Sequence, residues 1–335
     1  MNLFQKFAGI TTLCTAAAFL PSCGENENQK DKNDSAHHGE AAHEHTYACP
    51  MHPEVTGAEG SACPKCGMKL EHNDNVANTN AYHMQFSGSP AQPKAGDVVR
   101  LSFIPKIKGK ESEQVPLDVE HEKKIHLIIV NKDLSWFDHI HPEYQSDGSY
   151  TVSEKFPAAG EYTLFADYIP TGGNHQLEKV TLIVSGDEKA SIPLSGQRLS
   201  GKADGYELTI TNESEFVTNN QMHLGAILKK DGKEIPANEL ENYLGAKAHV
   251  VVIGLDNKEY LHVHPEVTNG KFDLHTMFEK PGMYKGWFQF QTNGKVHMID
   301  FVLDVKEGKA GEVKGHDDDG HGHDHSEGHA QDHQH

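Results

Sequence analysis

Cysteine is scarce in this chain, five in 335 residues, too few for a disulfide-stapled scaffold. Aromatic residues make up 8% and apolar residues 36%, so part of the length is solvated tether or tail rather than packed core. Basic side chains are the minority charge, 30 Lys and Arg against 49 Asp and Glu, for a formal charge of −19. That balance argues against nucleic acid, which needs a basic stripe. Past residue 20 no apolar run is long enough to cross a bilayer, and no G-x-S-x-G marks acyl-transfer chemistry. What the chain has in excess is histidine, 25 residues. Imidazole is the commonest metal ligand and the side chain that titrates nearest neutrality.

Residues 1–22 read as an export signal. Lys6 supplies a short positive start, and Phe7 to Leu20 is an uncharged, mostly apolar run too short for a comfortable permanent span. The run ends in Leu20-Pro21-Ser22-Cys23, which resembles a bacterial lipobox. The resemblance implies that Cys23 is diacylated and becomes the mature N-terminus, holding the protein on a membrane without spanning it. Cys14 is lost with the signal, so only Cys49, Cys63 and Cys66 remain as thiols. The expected location is the bacterial cell envelope, facing the periplasm or the exterior.

Composition shifts divide the rest. Residues 23–46 form a polar tether with four His, and 47–72 a compact Cys/Pro/Met/His unit. Two similar blocks follow at about 80–185 and 204–306, and 307–335 is a tail with seven His among Asp, Glu and Gly. The blocks are a duplication. His126 falls on His249, and His139/His141 fall on His262/His264, each pair followed by Pro-Glu. Phe156, Gly160, Tyr162 and Phe165 fall on Phe278, Gly282, Tyr284 and Trp287; His175 falls near His297, and Tyr82 and Tyr206 open the two copies. Short β-branched and aromatic runs such as HLIIV and HVVVIG, punctuated by Gly, Pro, Asn and Asp, read as strands. The expected fold is mainly β: two duplicated antiparallel sandwiches, Ig-like or cupredoxin-like, behind the small Cys unit.

The Cys unit reads YACPMHPEVTGAEGSACPKCGMKL. Cys63 and Cys66 can clasp one ion from a tight turn, and Cys49 with His52 supplies a second pair. Thiolate and imidazole suit Zn(II); thiolate with thioether suits Cu(I) or Ag(I), with Met51 and Met68 as extra soft donors. The ten residues between the pairs make a short, closable loop. A Cys63–Cys66 disulfide and a structural zinc knuckle are the alternatives. The string resembles the small heavy-metal-binding domain (YHS-like) of copper/silver efflux adaptors and of some copper-transporting P-type ATPases. The resemblance covers about 25 residues through CPMHP…CPKCGM. It implies soft-metal binding by Cys49, Cys63 and Cys66, with His52, Met51 or Met68 assisting.

The blocks offer a second set of donors. Residues i and i+2 of a strand share a face about 6.5 Å apart. His139/His141 and His262/His264 can therefore share an ion that sits between them, or one reached where the strand bends at Pro142 or Pro265. A third nitrogen could come from His126 or His249, then from His175 or His297. Glu143 and Glu266 are placed to ligate or to orient an imidazole. The alternative is that these histidines bond backbone carbonyls and are structural. His121, His223 and His275 have no counterpart in the other copy and read as surface or packing residues; Trp136 and Trp287 read as core. The tail binds borderline ions weakly and multiply, and loses them as imidazole protonates below about pH 6.5.

The function expected from these donors is an extracytoplasmic, membrane-anchored heavy-metal-binding lipoprotein that sequesters or delivers copper, with zinc second, in metal resistance or homeostasis. Its partners are the ions, the membrane and an efflux system. It is not expected to be an enzyme. The competing reading is a metal-dependent enzyme, a copper oxidase or hydrolase, working through the HxHP sites.

Overall fold

The computed structural model describes residues 47–49, 55–58, 60–61, 63, 69–72, 80–187, 190–212 and 214–308. The signal, Cys23, the tether, the tail, Met51, His52, Cys66 and Met68 lie outside the described residues. No helix among the described residues is long and apolar enough to cross a membrane.

Among the described residues the regular structure is almost wholly antiparallel strand. The Cys unit holds β1 (Tyr47–Ala48), β2 (Thr56–Gly57) and β3 (Glu71–His72), ordered β2-β1-β3. The first repeat runs β4 (Tyr82–Ser89), β5 (Val98–Ile107), β6 (Ile125–Asn131), β7 (Phe137–Ile140), β8 (Glu143–Tyr144), β9 (Tyr150–Lys155), β10 (Gly160–Tyr168) and β11 (Gln176–Val184). The second runs β12 (Ser200–Ala203), β13 (Tyr206–Asn212), β14 (Met222–Lys230), β15 (Lys233–Glu234), β16 (His249–Gly254), β17 (Tyr260–Val263), β18 (Glu266–Thr268), β19 (Lys271–Thr276), β20 (Gly282–Thr292) and β21 (Lys295–Val305).

Each repeat is a sandwich of two sheets. The orders β4-β5-β9-β8 and β11-β10-β6-β7 in the first match β13-β14-β19-β18 and β17-β16-β20-β21 in the second, where β12 adds an edge strand. The alternation of β5, buried at Val99, Leu101 and Phe103, and of β13, buried at Tyr206, Leu208 and Ile210, turns one face inward and one to water. A matched tyrosine corner closes each sandwich. Tyr162 Oη donates to the Ala158 carbonyl at 2.9 Å and Tyr284 Oη to the Lys280 carbonyl at 2.7 Å, the device that Ig-like sandwiches use at this corner. Gly160 and Gly282 precede them at φ 133° and 139°, a conformation that a Cβ would strain.

β6 and β16 break the alternation. Six consecutive residues of each are buried, because both faces are covered. Ile125, Leu127 and Ile129 point into the first sandwich, while Ile128 and Val130 join Leu134, Phe137 and Phe165 in a second cluster with Val251, Ile253 and Trp287 of the other repeat. The two repeats thus pack sheet against sheet. Phe137 stacks on Trp287 with ring centroids 4.4 Å apart, and Phe165 stacks on Tyr260 at 5.0 Å. Phe137 matches Tyr260 and Phe165 matches Trp287, so the contacts are one pair seen twice across a pseudo-two-fold axis, the self-complementary pattern of an isologous dimer built within one chain. Trp287 is therefore core, though of the joint between repeats; Trp136 packs on Phe156 and Tyr162 inside the first sandwich.

Candidate metal centre

The strand register carries the HxH pairs to that joint. His139 on β7 lies opposite Ile128 of β6, and His262 on β17 opposite Val251 of β16. His126 and His249 sit on the same outward face of β6 and β16. Just beyond the ends of β7 and β17 come His141 and His264. One ring nitrogen from each of His126, His139 and His141 lies within 4.8 Å of the others, as does one from each of His249, His262 and His264. The two triads also meet each other: the His126 and His262 rings are 5.4 Å apart, His139 and His262 5.7 Å, and His126 and His249 6.5 Å.

In four of the six rings hydrogen bonds fix which nitrogen is left to bind. His126 Nε2 faces the Glu120 carbonyl at 3.0 Å, and His249 Nε2 faces the Tyr243 carbonyl at 2.9 Å. A carbonyl only accepts, so Nε2 carries the proton and Nδ1 the lone pair. These carbonyls belong to matched tight turns, bridged Glu120 to Lys123 and Tyr243 to Ala246. Their second residues, His121 and Leu244, sit at φ 46° and 49°, a strained setting for a side chain that persists where surrounding structure imposes it. His139 Nδ1–H donates to Gln289 Oε1 at 2.8 Å, and His262 Nδ1–H donates to Asp167 Oδ2 at 3.4 Å. Nε2 is left bare in both. Each bond comes from the other repeat, and Asp167 and Gln289 are matched positions, opposite His126 and His249 in the register.

The consequence is electrostatic. His126 Nδ1 and His139 Nε2 face each other at 3.2 Å, and in neutral rings both atoms are acceptors. Burial, reinforced by His262, pushes His126 down to about 4 and His139 well below the usual imidazole range. The same causes hold His249 and His264 well down, and burial with His126 beside it takes His141 to about 3. In the second triad His249 Nδ1, His262 Nε2 and both His264 nitrogens have no hydrogen-bond partner, and His141 Nε2 has none in the first. Buried polar atoms are ordinarily paired. Converging imidazole lone pairs, with His126, His139, His249 and His262 each oriented by an outer hydrogen bond, are what a borderline or soft cation needs.

Asp167 is a buried carboxylate at the joint, 2% exposed. Burial alone would raise it, but contacts with His175 and His262 outweigh this and hold it well below the usual carboxylate range. His175 Nε2 bonds its Oδ1, and Tyr260 Oη donates to Oδ2 at 3.2 Å. Glu120, Asp167 and His175 form a further group of potential ligands. His175 thus serves the joint, whereas His297 turns away, bonded to Asp204 and Thr292.

Other residues depart from the expectations. Glu143 and Glu266 are exposed on β8 and β18 and belong to neither triad; the orienting groups are Asp167 and Gln289. Both were legible only as a polar residue inside the apolar runs YTLFADY and YKGWFQF. His121 is neither surface nor ordinary packing: its ring stacks on His264 at 3.7 Å. His223 and His275 are direct cross-strand partners on β14 and β19, rings 4.2 Å apart, with Asp273 3.2 Å from His275 Nε2. In the Cys unit Cys49 and Cys63 are buried together with Leu70, and the Cys49 N–H donates to the Val55 carbonyl at 3.0 Å.

The depressed imidazoles make a pH prediction. A ring held near 4 when folded but titrating near 6.5 when unfolded takes up its proton preferentially in the unfolded chain. The metal-free protein therefore has its full stability above about pH 6.5 and loses it as pH falls from there to about 4. A shift like that of His126 contributes about 3 kcal/mol across that window. Denaturant midpoints of the metal-free chain at several pH values should fall through the window; a flat profile would contradict the burial of neutral histidine.

Comparison with known proteins agrees with the duplication. A family described as Domain of unknown function (DUF8832) matches twice, at residues 77–186 and 201–307, which together make up more than half of the chain. The chain belongs to this family. Each DUF8832 domain contributes one triad to the centre. Residues 46–73 match the Heavy metal binding domain family, so a heavy-metal-binding unit precedes the two DUF8832 domains. No curated protein sequence matches the chain. Among solved structures it is similar to Escherichia coli alpha-2-macroglobulin activated by porcine elastase, at 11% identity and a TM-score of 0.24 over 68% of this chain and 20% of that one. It is also similar to Salmonella alpha-2-macroglobulin reacted with methylamine, at 11% identity and 0.23 over 66% and 14%. A two-domain fibronectin type III segment of chicken tenascin gives 10% identity and 0.20 over 67% and 99%. The chain thus spans about a fifth or less of the macroglobulins.

Proposed function

We propose that this protein is a lipid-anchored, extracytoplasmic metal-binding protein that sequesters or delivers copper ions, with zinc as the second candidate, and hands them to an efflux system. The observation that carries the proposal is the pair of matched triads whose bare nitrogens converge in a buried joint. Neutral imidazoles bind Cu(I), Cu(II) or Zn(II), and the burial of the converging nitrogens favours holding an ion over turning over a substrate. The Cys unit adds thiolates, which favour Cu(I), and the His-rich tail adds weak capacity that raises the local ion concentration. The lipobox-like LPSC and the export signal supply the anchor and the location. Each triad resembles a three-ligand site with one position left open, which suits release to a partner.

The test is metal stoichiometry. The chain from Gly24 onward, reduced and at neutral pH, is expected to retain more than one equivalent of Cu(I) or Zn(II) against a chelating dye. Deleting residues 307–335 should lower only the weak capacity. Retention of one equivalent or less would overturn the proposal.

A further inference from the structure

The two triads are copies, but the residues around them are not, and the difference in charge favours the second. The position that faces the first histidine of the HxH pair from across the joint is Gln289 for His139 and Asp167 for His262. One orienting group is a neutral amide; the other is a carboxylate, itself fixed by His175 and Tyr260. The strained turn position is Leu244 in the second repeat and His121 in the first. His121 reaches across the joint to lie on His264 and 5.6 Å from His249, and its Nε2 has no hydrogen-bond partner. The first repeat therefore lends the second triad both a carboxylate and a stacked imidazole, and receives an amide in return.

A cation held by neutral imidazoles in a dry joint keeps its whole charge, and burying charge is costly unless an opposite charge lies close. A carboxylate behind a ligating imidazole also raises that ligand's basicity and fixes its orientation. We infer that the two triads are unequal sites filled in order: His249, His262 and His264 hold the first and tighter ion, with Asp167 as the positioning residue and His121 packed on His264, and His126, His139 and His141 form the weaker, exchanging site. The inference rests on the triads binding metal at all. It assigns retention to one site and hand-over to the other, and His141, which lines a surface cavity with Arg100 and Glu143, opens the weaker site to solvent.

A cadmium NMR titration of the full mature chain tests the order, with each triad's signal assigned by the variant that removes it, H262A/H264A or H139A/H141A. The second-triad signal is expected to saturate first. D167N should lower that site's affinity by about 10–100-fold, the usual scale for an outer partner of a ligating histidine, and bring the two signals together. Q289E, which places a carboxylate at the matched position, should move the first-triad signal earlier, a gain that disruption of the fold does not produce. H121L, which takes the leucine found at the matched turn, should weaken the second site alone. The first triad filling first, equal filling in the unsubstituted chain, or an order unchanged in both D167N and Q289E overturns the inference while leaving metal binding intact. Absence of both signals overturns it together with the reading it rests on.

Discussion

Replacing His139, His141, His262 and His264 with alanine removes two equivalents of bound metal and leaves the Cys unit loaded. Each triad then keeps one of its three nitrogens, His126 or His249, and a single imidazole does not hold an ion against a competing chelator. The pairs are the right target because His126 and His249 are also tied to turn carbonyls, so removing them would disturb the fold as well as the site. The chain should stay folded. His141, His262 and His264 carry nitrogens without partners even in the native protein, so the bonding lost is confined to the His139–Gln289 and His262–Asp167 contacts, while the joint retains the Phe137–Trp287 and Phe165–Tyr260 stacks. Competition titration with Zn(II), read beside a thermal melt, checks both parts. Unchanged stoichiometry in the folded variant would make the triads structural.

Replacing Cys49, Cys63 and Cys66 with serine abolishes the tightest Cu(I) site. Thiolate is the softest donor in the chain, and no Cys lies beyond residue 66, so nothing else can substitute for it. The described residues of the unit form three two-residue strands and a small cluster of Cys49, Cys63 and Leu70, with Tyr47 and Val55 against it. Small units of this kind draw about 10–16 kcal/mol from binding a structural ion at neutral pH. The serine variant should therefore lose order in residues 47–72 as well as its ion, while the sandwiches melt as before. Cu(I) affinity measured against a bicinchoninate-type competitor checks the first part and amide exchange the second; undiminished Cu(I) affinity would remove the sulfur ligands from the account.

Much of this architecture was legible in the sequence because duplication prints every structural residue twice. The tyrosine corners, the Gly160 and Gly282 bends and the HxH pairs all fell out of the self-alignment. So did His126 and His249 as the third members of the two groups, because both stand at the start of the strand that precedes the pair. What was not legible is that the two sites are one place. Pairing of one repeat with the other is a tertiary fact, and its trace was indirect: HLIIV and HVVVI are apolar without a break, which a sandwich strand with one wet face is not. Asp167, Gln289 and His121 escaped for the same reason, since each acts on the other repeat's ligands. A comparison that asks only what the copies share passes over the positions where they differ. Glu143 and Glu266 misled in the opposite direction, being shared and adjacent but turned to solvent by the strand that carries them.

The central claim is that donors from two repeats converge on metal. Equilibrium dialysis of the reduced, processed chain against Zn(II), followed by elemental analysis of the unsubstituted protein and the four-histidine variant, addresses it directly. The account predicts a difference of two ions per chain between them. Equal metal content in two equally folded proteins would contradict it.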